Sequence, residues 1–185
     1  MSFRIAVIVG SLRRDSINRR LAKALTLLPA AADHSFDFID IGELPLYNQD
    51  DDAGPPAAAT ELKAQVRAAD AVIFVSPEYN RSIPSVLKNA LDHASRPHGD
   101  SAWSGKPTGI IGTSGGKSGT AMAQQHLRNV LAYLDVPTLA QPEAFVQWQD
   151  DMLDGSGQAQ GKTAEFLGKW LGAYLDFVGK HHPSG

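Results

Sequence analysis

A chain of 185 residues, 43% of them hydrophobic, can bury one substantial core, so a single domain over residues 1–185 is expected. Its 17 basic and 20 acidic residues leave a net charge of −3, which offers no electrostatic footprint for nucleic acid or an anionic membrane. The lack of any Cys excludes disulfide frameworks, thiolate catalysis and Cys-ligated metals.

The N-terminal MSFRIAVIVG has no charged region leading into a long apolar stretch, and no run reaches the ~18 apolar residues of a membrane span. A soluble cytoplasmic protein is therefore expected. Residues 4–9 (RIAVIV) form a short, nearly continuous apolar run that predicts a buried strand. Beyond it, Ile17, Leu21, Leu25 and Leu28 recur at helical spacing. Residues 36–41 (FDFIDI) alternate, which predicts an edge strand. A loop of acidic and small residues, 49–59, leads to a helix with Leu62 and Val66 on one face. Residues 71–76 (AVIFVS) read as a second buried strand, and Pro84 opens a helix striped by Val86, Leu87, Ala90, Leu91 and Ala94. Residues 108–113 (TGIIGT) predict a fourth strand, with Met122, Ala123, Leu127, Val130, Leu131 and Leu134 marking the helix after it. A fifth strand within 136–146 is weaker, because two prolines interrupt it. The polar loop 149–161 then precedes a last helix carrying Phe166, Leu167, Trp170, Leu171, Tyr174 and Leu175. This alternation predicts an α/β fold, a mostly parallel sheet with helices on both faces.

In such a sheet ligands collect beyond the carboxyl ends of the strands, where strand order reverses. That directs attention to three loops, 10–18, 77–84 and 114–119. In the first, GSLRRDSIN, the residues Ser11, Arg13, Ser16 and Asn18 run into a helix N-terminus, offering hydroxyls, a guanidinium and backbone N–H groups to a phosphate dianion. The loop lacks the G-x-G-x-x-G that seats a pyrophosphate, so it suits a terminal monophosphate. The plainer alternative makes Asp15 or Ser16 a helix cap and the arginines solvated surface. In the second loop, the turn PEYN presents backbone amides and Tyr79 at the switch point, which suits the edge of a flat heteroaromatic ring; a plain turn with Tyr79 packed on a helix is the alternative. In the third, GTSGGKSG is not a P-loop, since Ile111 stands where its first Gly belongs. It does match G-x-S-x-G, which opens a hydrolase reading with Ser114 as nucleophile, Asp135 or Asp150 orienting, and His181 or His182 as base. His34, His93, His98 and His126 show no ligand spacing, so no metal is expected. Trp103, Trp148 and Trp170 read as core or interface anchors.

Taken together, GSLRxxSxN at 10–18, PEYNxSxPxxLKNALD at 77–92, GKP at 105–107, GTSGGxxG at 112–119 and a following helix with HLR at 126–128 resemble the NADPH-dependent FMN reductases, a flavodoxin-like family, over roughly residues 3–148. The resemblance implies a doubly wound, five-stranded parallel sheet of order 2-1-3-4-5. It also implies an enzyme that binds FMN, takes hydride from NADH or NADPH, and reduces small-molecule acceptors such as quinones, chromate or ferric chelates. By motif position, Ser11, Arg13, Ser16 and Asn18 would meet the FMN phosphate. Pro77, Glu78, Tyr79 and Asn80 would meet the isoalloxazine through backbone amides, and Ser114, Gly115 and Gly116 would line its other side. Arg96, in the SRP run, would reach a flavin site in its own or a partner subunit. No side chain is required as catalytic acid or base, because the flavin carries the chemistry. The family forms homodimers and homotetramers, which makes residues 44–50 (LPLYNQD, with Tyr47 and Asn48) the candidate interface. A non-enzymatic flavodoxin-like electron carrier is the alternative, although such a carrier would be strongly acidic for docking and this chain is not.

Overall fold

A computed structural model describes residues 1–181. Strands and helices alternate as β1 (Arg4–Val9), α1 (Ile17–Thr26), β2 (Ser35–Ile39), α2 (Ala57–Ala68), β3 (Ala71–Val75), α3 (Ser85–Ala94), β4 (Thr108–Ser114), α4 (Ala121–Tyr133), β5 (Phe145–Gln147) and α5 (Gly161–His181). All five strands are parallel in the order β2-β1-β3-β4-β5, the doubly wound, flavodoxin-like arrangement. Because successive side chains of a strand point to opposite faces, the apolar runs of β1 and β3 feed two cores at once. Ile5, Val7, Ile73 and Val75 pack against α1 and α5, among them Leu21, Leu25, Trp170 and Tyr174. Ala6, Ile8, Val72 and Phe74 pack against α2, α3 and α4, through Leu62, Val66, Leu87, Leu91, Leu127 and Leu131. β2 is the edge that its alternation predicts, with Ser35 and Phe38 exposed.

β3 ends one residue earlier than expected and β4 one residue later, and β2 and the fifth strand differ more. β2 ends at Ile39 rather than residue 41, because the Asp40 carboxylate accepts the N–H of Gly42 at 2.9 Å and turns the chain. The fifth strand is only Phe145–Gln147. Its predicted first half is instead a segment that meets β4 in one place, a single bridge between Thr138 and Thr108, so β4 is paired by that segment near its start and by β5 at its end. Trp103 and Trp170 are buried, the Trp103 indole donating to the Leu91 carbonyl at 3.0 Å, while Trp148 is partly exposed under the Arg20 guanidinium. Among the described residues, no helix is long and apolar enough to cross a membrane.

Candidate active site

The parallel sheet brings loops 10–18, 77–84 and 114–119 side by side, at the carboxyl ends of β1, β3 and β4. Each is held by a side chain that the local sequence does not announce. Asn18 is buried, its amide donating to the Thr113 carbonyl at 2.9 Å while its carbonyl oxygen accepts the Thr113 N–H at 3.0 Å, which staples the start of α1 to the end of β4. Its side chain is therefore a clamp on the backbone of β4. Ser16 is the N-cap of α1, its hydroxyl accepting the Arg19 N–H at 3.1 Å. The capping role expected as the plainer alternative is thus real for Ser16, and it leaves the N–H groups of Ile17 and Asn18 without acceptors among the described residues. The hydroxyl of Ser11 and the exposed guanidiniums of Arg13 and Arg14 likewise have no partner there. No acidic residue occupies the first turn of α1.

The second loop contains a two-residue turn. Tyr79 and Ser82 exchange backbone hydrogen bonds of 2.9 Å in both directions, with Asn80 and Arg81 between them at φ 50° and 67°. Left-handed backbone at both central positions is type I′ geometry, which suits Asn at the first of them and is costly for Arg81 at the second, where Gly is preferred. Pro77 is buried and the Tyr79 ring is 47% exposed, so the ring faces outward instead of packing on a helix. The Glu78 carboxylate accepts the N–H groups of Met122 and Ala123, each at 3.1 Å, at the start of α4. Beyond the turn, Ser82 Oγ lies 3.0 Å from His126 Nδ1 on the same helix.

In the third loop, Ser114 is the last residue of β4, and its hydroxyl donates to the Gly119 carbonyl at 2.6 Å. This removes the hydrolase reading. A nucleophilic serine needs an imidazole on its hydroxyl, and none is there among the described residues; His181 hydrogen-bonds to Phe177 at the end of α5, beside Lys106 and Pro107 at the amino edge of the sheet. The seven residues of β4 separate that edge from Ser114 by about 20 Å. Asp135 accepts from Ser104 at the same far edge, Asp150 accepts from Trp148, and His182 lies outside the described residues. Gly115 and Gly116 leave their backbone open, since a Cβ added at Gly115 would meet nothing within 4 Å and one at Gly116 only the Ser114 hydroxyl at 3.7 Å.

Arg96 is not brought into this cleft. It follows α3, whose ten residues carry it about 15 Å from the Tyr79 turn. There its Nε donates to the Tyr47 hydroxyl at 2.8 Å, and that hydroxyl donates to Asp52 at 3.0 Å. The Tyr47 bond, reinforced by the Asp52 charge, raises the Arg96 pKa above its already high ordinary value. Asn89 accepts the Tyr47 N–H and donates to the Pro45 carbonyl, both at 2.8 Å, fastening residues 45–47 to α3. Between α3 and α4 runs a groove with two adjoining hollows of about 700 and 490 Å³, the first lined by Ser82, Ile83, Lys88 and His126, the second by Tyr47, Arg96, Tyr133 and Leu134.

Comparison with known proteins decides what this cleft belongs to. The model of the NADPH-dependent FMN reductases matches residues 3–150. The chain belongs to the NADPH-dependent FMN reductase family. A relative from Burkholderia sp., named 2-hydroxy-1,4-benzoquinone reductase, is 53% identical over 176 residues, covering 95% of this chain and 94% of its own. A quinone reductase of Pseudomonas putida is 43% identical over 177 residues, with 95% of each chain covered. Among solved structures, FerB of Paracoccus denitrificans, a flavoenzyme NAD(P)H:(acceptor) oxidoreductase, superposes with a TM-score of 0.93 at 42% identity, over 97% of this chain and 98% of that one. As a member of the family, the chain is a flavin-dependent reductase and not a passive carrier.

Proposed function

We propose that this enzyme binds FMN in the cleft between loops 10–18, 77–84 and 114–119 and passes two electrons from NADH or NADPH to quinones. The observation that carries the reading is a contrast between two helix N-termini. At α4 the amides of Met122 and Ala123 are taken by Glu78 and that of Gln124 by Thr120, so this helix has little to offer an anion. At α1 the amides of Ile17 and Asn18, the Ser11 hydroxyl and the Arg13 guanidinium lie within one stretch of eight residues with no internal partner among the described residues, a donor set that suits a phosphate dianion.

In this reading Ser11, Arg13 and the Ser16–Asn18 backbone grip the phosphate. The turn at Pro77–Glu78–Tyr79–Asn80 presents amides to the edge of the ring, and Ser114, Gly115 and Gly116 give the flavin an open backbone wall. When bound, FMN accepts hydride from the nicotinamide and delivers two electrons to the acceptor. The protein's part is to orient donors and acceptor and to hold fixed dipoles against the ring. Hydroxylated 1,4-benzoquinones are the first acceptors to try, on the strength of the Burkholderia relative's name. Chromate and ferric chelates are further candidates because the exposed Tyr79 side leaves room for varied shapes. A reaction fed by reduced nicotinamide supports a cytoplasmic location.

The purified protein is expected to be yellow, with absorbance near ~370 and ~450 nm, and to release FMN on denaturation. NADH or NADPH should bleach the longer-wavelength band and a benzoquinone should restore it. A colourless protein that gains no thermal stability from added FMN would overturn the reading.

We also infer a homodimer, or a tetramer built as a dimer of dimers, formed across the groove between α3 and α4. Leu46 and Tyr133 stand 84% and 87% exposed beside it, large apolar side chains that a monomer would leave in water. An antiparallel pairing of two such grooves would set the Arg96 end of one copy beside the Tyr79 end of the other, which is how Arg96 could serve a flavin it cannot reach in its own chain. Light scattering should report at least a dimer at micromolar concentration, and Tyr133→Asp with Leu46→Asp should give monomers. A monomeric wild type would remove this interface.

A further inference from the structure

We propose that Glu78 is a positioning residue whose carboxylate, by capping α4 from a different loop, holds the Tyr79–Ser82 turn in the conformation that receives the flavin ring. This rests on the FMN reading above. The turn is strained on its own account at Arg81, which is left-handed where a type I′ turn prefers Gly, while Asn80 before it suits its position. Such backbone persists only when its flanks are fixed, and both flanks are fixed to one helix. Glu78, just before the turn, accepts the N–H groups of Met122 and Ala123 at 3.1 Å; Ser82, at its end, meets His126 at 3.0 Å. α4 needs this partner in return, since its N-cap Thr120 makes no side-chain cap bond and no acidic residue lies in its first turn. The negative carboxylate is stabilised there by the helix dipole, in the way a local Asp or Glu would be. α4 also begins where the third loop ends, at Gly119 and Thr120, so the same contact sets the spacing between the two walls of the cleft.

One oxygen, Oε2, accepts both amides, and this makes geometry and charge separable. A Gln side chain keeps an oxygen at that place, an Asp withdraws it by one methylene, and an Ala removes it. The affinities of FMN and riboflavin should fall together in Glu78→Ala, by about 10- to 100-fold, because the loss is at the ring and not at the phosphate. Glu78→Asp should behave like Glu78→Ala, and serves if the alanine variant folds poorly. Glu78→Gln should stay within about threefold of wild type, since it retains the acceptor and forfeits only the charge-assisted share. In the flavin-free protein, hydrogen exchange at Met122, Ala123 and residues 79–82 should quicken in the Ala and Asp variants and remain slow in Gln. If Glu78 matters only to global stability, the melting temperature falls while both flavin affinities and the shape of the ~450 nm band hold, and the proposal is overturned. Loss of FMN with riboflavin retained would overturn it too. A wild type that binds neither flavin would instead defeat the FMN reading, and this one with it.

Discussion

Replacing Arg13 by alanine should weaken FMN about 10- to 150-fold and leave riboflavin nearly untouched, the value of one charge-assisted hydrogen bond of roughly 1.5–3 kcal/mol. The reason lies in what surrounds this residue. Its guanidinium is exposed and carries no internal ion pair among the described residues, so removing it opens no cavity and strands no buried charge. The effect is therefore confined to the ligand. The gap between FMN and riboflavin affinity should narrow, and more FMN should be needed to reach the same melting temperature. Titrating both ligands against wild type and Arg13→Ala decides the matter. An equal loss for both would mean that GSLRRDSIN shapes the loop without holding the phosphate. The contrast with Glu78→Ala, which should weaken both ligands alike, assigns the two ends of the flavin to two different loops.

The second large effect is structural. Gly112→Ala should cost about 3 kcal/mol or more, lowering the melting temperature by roughly 6–12 °C for a domain of this size. A Cβ built at Gly112 would lie 2.1 Å from the Ser76 carbonyl oxygen and 2.3 Å from Thr120 Oγ1, and neither can yield cheaply. Ser76 is tied to β4 by its N–H on the Ile111 carbonyl, and Thr120 accepts from Gln124, which in turn donates to the Ala144 carbonyl. Pushing β4 outward would thus loosen the end of β3, the third loop and the first turn of α4 together. Urea unfolding of the flavin-free protein measures the loss directly, and a variant within 1 kcal/mol of wild type would show that the strands can part without cost. This packing also accounts for the Gly-Thr-Ser-Gly-Gly string: Gly112 is there for the close approach of β3 and the α4 cap, with no nucleophile to present.

The framework was legible because it depends on local pattern. IAVIV and AVIFV could only be strands buried on both faces, and the alternation of FDFIDI marked an edge. The three loops were legible too, since each follows such a strand and carries donors in a short span. The boundaries that slipped are those where a side chain outside the pattern decides, as when Asp40 ends β2, or where backbone pairing is shared, as between residue 138 and β5 along β4. What sequence reasoning could not supply was the direction of side chains that leave their own loop. Asn18 and Glu78 both read as ligands to FMN, yet Asn18 spends its amide on Thr113, 95 positions away, and Glu78 spends its carboxylate on α4, 44 and 45 positions away. No periodicity encodes contacts of that span. Arg96, read as reaching a flavin in its own or a partner subunit, lies apart from its own chain's three loops for a simpler reason, since a helix of ten residues stands between it and the Tyr79 turn.

The two described ends of the chain meet. A Cβ added at Gly179, near the end of α5, would lie 3.8 Å from the Phe3 ring, just ahead of β1, and both lie at the amino edge of the sheet, a full strand length from Ser11, Tyr79 and Ser114. Anything joined at residue 1 or residue 181 would therefore start from the edge opposite those loops. An affinity handle, a fused redox partner or a tether to an electrode would leave the proposed flavin cleft turned outward, and a short bridge between the described ends would allow the chain to be reopened at a surface loop elsewhere with the sheet order intact.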